Sequence, residues 1–367
     1  MRLLICAGGT GGGVYPALAV LQALGNDVDQ VMWVGSQGGI EADLVKRSNV
    51  PFAAIPAAGV HGVGVRQLPR NLWKMGQGVL ASRRILNEFN PDVLLFTGGY
   101  VAFPMAVAGR AIPTLLYVPD IEPGWALKTL GRFADRIAVT TDETFQFYPA
   151  RVPMTVTGYP TRAGLADAHP AQARKTLGLD NEHPVLLVAG GSTGTRSISQ
   201  ALVTILPELL KDVQVIHITG QRNWEENKAA TDGLSPELAS RYHPFAYVHE
   251  MGEVLAAADL AVSRAGGSTL GEYPLFGLPA ILVPYPYAWR YQKVNADYLA
   301  GHGAATVLED ARLKEQLLPT IRGLIGNTVR LETMRTAMRS LATPQAAKHL
   351  AELVKEMGNR PKERRRS

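Results

Sequence analysis

Glu272 stands about one helical turn beyond a glycine pair, Gly266-Gly267, which itself follows the apolar run Leu260–Val262. That spacing suits one kind of chemistry. A helix starting at the carboxyl end of a buried parallel strand offers free amide groups and the positive end of its dipole, and so attracts an anion such as phosphate. A carboxylate one turn further in can accept hydrogen bonds from both hydroxyls of a ribose. Ser268 or Thr269 is placed to cap the helix, and Pro274 should kink it near Leu270. Gly277-Leu278-Pro279 then punctuates, and a second strand, Ala280–Val283, opens onto a loop rich in Pro and Tyr. An ordinary strand–turn–helix of an α/β domain has the same look, so this stretch alone leaves both readings open.

Repetition adds weight. Glycine-rich turns also follow strand-like runs at Gly8-Gly9-Thr10-Gly11-Gly12-Gly13, at Gly98-Gly99-Tyr100 and at Gly190-Gly191-Ser192-Thr193-Gly194. Two fall in each half of the chain, as expected of a cleft facing phosphates. The first lacks the acidic residue about 20 positions on that a dinucleotide fingerprint needs, since Asn26-Asp27 lies within a turn. No G-x-x-x-x-G-K-[ST] is present, which argues against a P-loop NTPase.

The elements that must position these turns read as an alternation. Strand-like runs occur at 2–7, 30–34, 92–97, 114–118 and 136–140, then at 185–189, 213–218, 260–262, 280–283 and 305–308, with helical segments between them. Two such cycles predict an α/β chain of two doubly wound parallel sheets, joined near Gly158-Tyr159-Pro160-Thr161-Arg162. A last helix should run from Thr343-Pro344 to about Met357, with Pro at its first position. At 367 residues, 46% hydrophobic and 19% charged, the chain has material for two full cores. One cysteine, Cys6, excludes a disulfide framework and a multi-cysteine metal site, and fits a reducing compartment. The N-terminus enters a strand with no signal-peptide pattern, and no apolar stretch approaches membrane-spanning length. The net charge is +5, but the tail RPKERRRS holds five basic residues and one acidic, so the body is near +1. That removes the usual argument for a nucleic-acid partner.

Basic and apolar residues alternate unusually over residues 65–86. Leu68, Leu72, Met75 and Val79 share one helical face; Arg66, Arg70 and Lys74 recur every four residues on another; Arg83 and Arg84 follow, and Trp73 sits between the faces. A basic amphipathic helix with an interfacial Trp suits an anionic bilayer surface. The other reading is a helix packed apolar side down with a solvated basic rim.

Taken in order, GGTGG at 8–12 with Pro16, GGYVAFP at 98–104, GYPTR at 158–162, GGSTGTR at 190–196, HITG at 217–220, SRAGGSTLGE at 263–272, GLPAILVPYP at 277–286 and Gln292 with Asn295 resemble the MurG family of bacterial N-acetylglucosaminyltransferases. Members convert lipid I to lipid II in peptidoglycan synthesis on a GT-B fold of two facing Rossmann-like domains. The resemblance covers nearly the whole chain. It implies an N-terminal acceptor domain over 1–160 with the helix 343–358 crossing back onto it, a donor domain over 161–342, and a basic tail over 359–367. It implies that the C-terminal half binds UDP-N-acetylglucosamine. Val248 and Met251 would border the uracil, Glu272 would hold the ribose, and Gln292 the sugar. Arg162, Ser192, Thr193, Gly267, Ser268 and Thr269 would hold the diphosphate. Thr10, Gly11, Gly12, Gly99 and Tyr100 would receive the pyrophosphate of an undecaprenyl-linked acceptor. No metal or cofactor is implied, because amides, dipoles and the fixed charge of Arg162 can stabilise departing UDP. The 65–86 helix matches the family's membrane patch, and implies a peripheral position on the cytoplasmic face of the plasma membrane.

Two departures fall on the acceptor side. Family members carry His directly after GGTGG, proposed as or supporting the base; here that residue is Gly13. Where the family has His-Glu-Gln-Asn, this chain has Tyr117-Val118-Pro119-Asp120. Asp120, at a strand's carboxyl end, is the best substitute base in the sequence, with Glu122, Tyr15 and Tyr100 behind it. A carboxylate capping the turn before Gly124 is the alternative role for Asp120. The leading expectation is an inverting, metal-independent transferase. The same donor with a different lipid-linked acceptor, a UDP-sugar-binding protein without turnover, and a nucleotide-sugar 2-epimerase are the competing readings.

Overall fold

The ten apolar runs become the interior and one edge of two wholly parallel sheets, each run within two residues of its expected ends. The computed structural model describes residues 1–8, 11–39, 41–59, 64, 66–190, 196–286 and 291–359. The chain divides into one unit of Met1–Ala163 together with the segment from Pro344, and a second of Gly164–Thr343.

The first sheet contains β1 (Arg2–Ala7), β2 (Gln30–Ser36), β3 (Phe52–Ile55), β4 (Val93–Gly98), β5 (Thr114–Val118), β6 (Arg136–Val139) and β7 (Met154–Val156), in the order β3-β2-β1-β4-β5-β6-β7. Ile5 of β1 stands beside Trp33 on one side and Leu95 on the other. The second sheet contains β8 (Val185–Ala189), β9 (Gln214–Ile218), β10 (Tyr242–Phe245), β11 (Leu260–Ser263), β12 (Ala280–Leu282) and β13 (Ala305–Val307), in the order β10-β9-β8-β11-β12-β13. Strand order therefore reverses between β1 and β4 in one sheet and between β8 and β11 in the other. Ligands of open parallel sheets bind at such switch points, outside the strands' carboxyl ends. All four glycine-rich turns follow those four strands.

Continuous apolar strands imply burial on both faces. On one side of the first sheet, Val14, Ala17 and Val20 of the Gly11–Leu24 helix pack with Leu350, Val354 and Met357 of the Ala346–Gly358 helix. On the other, Leu86, Met105, Leu127 and Leu130 cover Leu94 and Leu116. The last helix thus completes the first unit's core. It starts at Ala346, later than expected, because Pro344 and Gln345 form a turn that redirects the chain. The first helix starts within the glycine-rich turn, at Gly11, and encloses Pro16. The connection between the units is bounded by Gly158 (φ 82°) and Gly164 (φ 79°), both in the left-handed region that favours glycine.

Candidate active site

In the first unit the two turns meet through their backbones. Gly99 has φ 88°, and a Cβ there would lie 2.5 Å from the Gly8 carbonyl oxygen. Beneath Gly8 lies Glu41, fully buried, whose Oε1 accepts from the Ser36 amide (2.7 Å) and hydroxyl (2.6 Å). A Cβ on Gly8 would meet that same oxygen at 2.5 Å. The sequence reading missed Glu41; three glycines close to it, Gly8, Gly35 and Gly39, were the signal that something large needed their space. Thr10 lies outside the described residues, while Gly11 and Gly12 open the helix. Tyr100 is exposed, and its ring lies over Gly59.

Gly13 is seated on β4. The Thr97 hydroxyl donates to the Gly13 carbonyl at 2.6 Å, and a Cβ on Gly13 would stand 3.1 Å from the Thr97 carbonyl oxygen. Tyr117 is fully buried in β5; its hydroxyl is paired with Thr140 Oγ1 (2.9 Å) and donates to the Gly158 carbonyl (3.4 Å). Burial first, and the charge of Asp120 to a lesser degree, hold that hydroxyl well above the ordinary tyrosine range. Tyr117 is a staple between strands and offers no base. Asp120 lies half-buried two residues past the end of β5, and Glu122 is paired with Lys128 at 3.2 Å.

In the second unit, the segment after β11 is broken in two. A 3₁₀ turn, Gly267–Leu270, is followed at Gly271 by a short helix, Glu272–Phe276. The expected break is present, one residue after Leu270. The expected Ser or Thr cap is not: Gly266 occupies the cap, and the buried Thr269 hydroxyl donates back to the Gly266 carbonyl at 2.7 Å. Glu272 and Ser268 are half-buried. Behind them Tyr273 donates to Ser263 at 2.8 Å, and buried Asn295 donates to the Ala265 carbonyl at 3.0 Å. Gln292 Oε1 accepts from the Tyr285 amide at 3.0 Å, tying its helix to the loop after β12. Val248 lies in the loop after β10, and Met251 opens the Met251–Ala257 helix. Ser192 and Thr193 fall outside the described residues.

Arg264 is a second residue the sequence reading passed over. Its guanidinium donates to the Val283 carbonyl (3.0 Å) and the Ser197 hydroxyl (2.8 Å), pairs with Asp310, and stacks over Tyr285 at 5.2 Å. One arginine thus ties together the helix Arg196–Leu209 and the loops after β11 and β12. Its place inside SRAGG, directly after a buried strand, was the available signal.

Arg162 belongs to the first unit, before the division at Gly164. Its guanidinium lies 5.6 Å from the centre of the Tyr15 ring, and among the described residues it makes no ion pair. Among the described residues, no group of three or more His, Cys, Asp or Glu could hold a metal ion.

The basic helix runs from Leu68 to Phe89 and does not present the face read from its spacing. Met75 is only 7% exposed and turns inward with Gly78, Ser82 and Leu86, so it is not a surface residue. Leu68 and Val79 are half-buried. Outward stand Leu72 (55% exposed), Trp73 (71%) and Leu80 (61%), with exposed Arg70, Arg83 and Arg84. Leu80 was missed, although it follows Leu72 by eight residues. Arg66 is exposed just before the helix, and Lys74 is half-buried within it. No described helix is long and apolar enough to cross a membrane.

Two doubly wound parallel sheets, each with its strand order reversing at a switch point, define a GT-B architecture. The glycosyltransferase family 28 N-terminal domain matches residues 3–139 and its C-terminal domain residues 185–353; the chain belongs to this family. It is similar to "UDP-N-acetylglucosamine--N-acetylmuramyl-(pentapeptide) pyrophosphoryl-undecaprenol N-acetylglucosamine transferase" of Desulforamulus reducens, at 37% identity over 97% of this chain and 99% of the relative. A relative of the same name from Roseiflexus sp. is 37% identical over 97% of this chain and 95% of its own length. Among solved structures, Acinetobacter baumannii MurG superposes with a TM-score of 0.76 at 27% identity, covering 97% of this chain and 99% of that one.

Proposed function

We propose that this protein transfers N-acetylglucosamine from UDP-N-acetylglucosamine to an undecaprenyl-pyrophosphoryl-N-acetylmuramyl-pentapeptide, the step that makes lipid II for peptidoglycan. The observation that carries this reading is that the four strands flanking the two switch points, one pair in each unit, lead directly into Gly8, Gly98, Gly190 and, after β11, Gly266. A reaction between two diphosphates, one on the donor and one on the acceptor, needs two such anion sites. The names of the full-length relatives support both substrates.

The acceptor hydroxyl attacks C1 of the sugar as the bond from C1 to the β-phosphate oxygen breaks. Configuration inverts in that single displacement, and UDP leaves. In this reading Glu272 holds the ribose, Gln292 the sugar, Val248 and Met251 the uracil. Ser192, Thr193 and the Gly267–Thr269 turn hold the diphosphate, where amides stabilise the leaving charge, and Arg162 offers a diphosphate its fixed cation. Thr10, Gly11, Gly12, Gly99 and Tyr100 receive the acceptor pyrophosphate. Asp120 takes the acceptor proton, supported by its place just past β5 and by the absence of an imidazole at Gly13. Leu72, Trp73 and Leu80 with their arginines rest the first unit on an anionic membrane, at its cytoplasmic face.

UDP release, measured with and without the lipid-linked acceptor, tests the reading. Release only with acceptor supports transfer; UDP binding without turnover under either condition would sink it. Asp120→Asn should lower kcat by about 10²–10⁴-fold with donor affinity kept. A different lipid-linked acceptor is a second reading, favoured because Gly13 and the 117–120 segment depart from the family on the acceptor side alone. Turnover with another polyprenyl-linked sugar but not with lipid I would establish it. Nothing in the relatives' names favours a binding-only protein or an epimerase.

A further inference from the structure

Tyr15 lies on the helix that opens at the acceptor turn, and Arg162 on the segment that leaves the first unit. Two contacts fasten that segment to that helix. The Arg162 guanidinium lies over the Tyr15 ring at 5.6 Å, and Gln22 Oε1 accepts from the Ala163 amide at 3.3 Å. Gln22 stands seven residues after Tyr15, two turns along the same helix, so the pair grips the segment along one stripe.

The kind of contact matters. A carboxylate partner would consume guanidinium donors and cancel the charge; a ring face attracts the cation and leaves all five N–H groups available. The ring face also holds the cation against the helix without a counter-charge. The result is an unneutralised guanidinium, pre-positioned with its hydrogen-bonding capacity intact, which is what binding a diphosphate requires.

We infer that Tyr15 is the positioning residue for Arg162: its ring holds the guanidinium poised for the donor diphosphate and keeps it in register with the acceptor turn on the same helix. This rests on the proposed role of Arg162 at the diphosphate. In consequence the Tyr15 ring, not its hydroxyl, is the part that acts, and Tyr15 is not the missing base.

The test uses the full chain, with UDP affinity from calorimetry and with kcat and KM for both substrates. Tyr15→Leu should weaken UDP binding and raise the donor KM by about two- to fivefold, the range of a partly exposed cation–π contact. Acceptor KM and melting temperature should stay near those of the parent. Tyr15→Phe keeps the ring and should rescue donor affinity. In the double variant with Arg162→Ala, Tyr15→Leu should add nothing. Should Tyr15→Leu disturb the helix, Tyr15→Met, which keeps bulk without a π face, carries the same comparison. If Arg162→Ala leaves UDP affinity unaltered, the role of Arg162 itself fails. If Arg162→Ala weakens UDP binding and Tyr15→Leu does not, or the two effects add, the positioning role is overturned. A large loss of kcat in Tyr15→Phe would overturn it too, since the hydroxyl would then be the acting group.

Discussion

The resemblance puts an imidazole where this chain has Gly13, and the structure gives a steric reason for the glycine that can be measured. Its φ is not left-handed, so alanine costs no backbone strain and should gain about 0.5–1 kcal/mol from lower chain entropy in a helix. Against that, a Cβ would stand 3.1 Å from the Thr97 carbonyl oxygen and 3.6 Å from its carbon. Those are backbone atoms of an interior strand and cannot swing aside as a side chain does. Overpacking of this kind costs about 1–3 kcal/mol. The helix must also retreat from the Thr97 hydroxyl, which now donates at 2.6 Å to the Gly13 carbonyl. The net expectation for Gly13→Ala is a loss of about 1 kcal/mol, or about 2–4 °C of melting temperature for a unit of this size. Gly13→His should lose at least as much, yet turn over faster than Gly13→Ala if its imidazole reaches the acceptor hydroxyl. Thermal melts and UDP-release rates of the two variants separate the effects. If Gly13→Ala proves more stable than the parent by the full helix gain, the Thr97 carbonyl does not crowd the site and the steric account is wrong.

Glu272→Ala should raise the KM for UDP-N-acetylglucosamine by about 10- to 150-fold, since a charge-assisted hydrogen bond is worth about 1.5–3 kcal/mol; an unchanged KM removes Glu272 from the donor site. Replacing Leu72, Trp73 and Leu80 together by Ser should cut vesicle binding by roughly 10²-fold or more while sparing UDP affinity, given about 1.5–3 kcal/mol per fully buried large apolar side chain. Unchanged vesicle binding, or unfolding, counts against the membrane surface. His217, buried between Ser199 and Tyr242, has its pKa lowered by burial from 6.5 to about 4. Between those values the unfolded chain binds the proton and the folded chain does not, so stability should fall as pH drops from about 6.5 towards about 4. His217→Gln should flatten that slope in urea titrations, and an equal slope in both proteins rules the histidine out.

What the sequence disclosed follows burial. Strands covered on both faces, such as Leu3–Ala7 and Leu94–Phe96, read as unbroken apolar runs. The three strands it did not disclose, β3, β7 and β10, are all at sheet edges. They are short and only partly buried, and Pro51, Pro153 and Pro244 begin or interrupt them, so no periodicity builds up. The glycine turns were legible because backbone close approach demands glycine whatever the ligand. Glu41 and Arg264 were not: the partners of Arg264, Ser197, Val283 and Asp310, lie far off in sequence, and nearby Ser36, Gly35 and Gly39 mark Glu41 only once distant Gly8 is seen above it. The basic helix shows the limit of spacing alone. Leu72 and Met75 fit one stripe, yet Gly78 and Ser82 let the inner face close on small residues, leaving Leu72 outside with Trp73 and Leu80.

The Ala346–Gly358 helix closes a unit that begins at Met1, with Gly358 against Met1 itself. On the ribosome, therefore, the first unit is begun before the second and completed after it. The second unit, continuous from Gly164 to Thr343, can collapse while the first still lacks Leu350, Val354 and Met357 over β4 and β5. Until they arrive, that face is covered only in part, by Val14, Ala17 and Val20 of the Gly11–Leu24 helix. Chaperone occupancy during translation should be concentrated there, and a ribosome stalled short of codon 346 releases a chain whose second unit is sound and whose first is not.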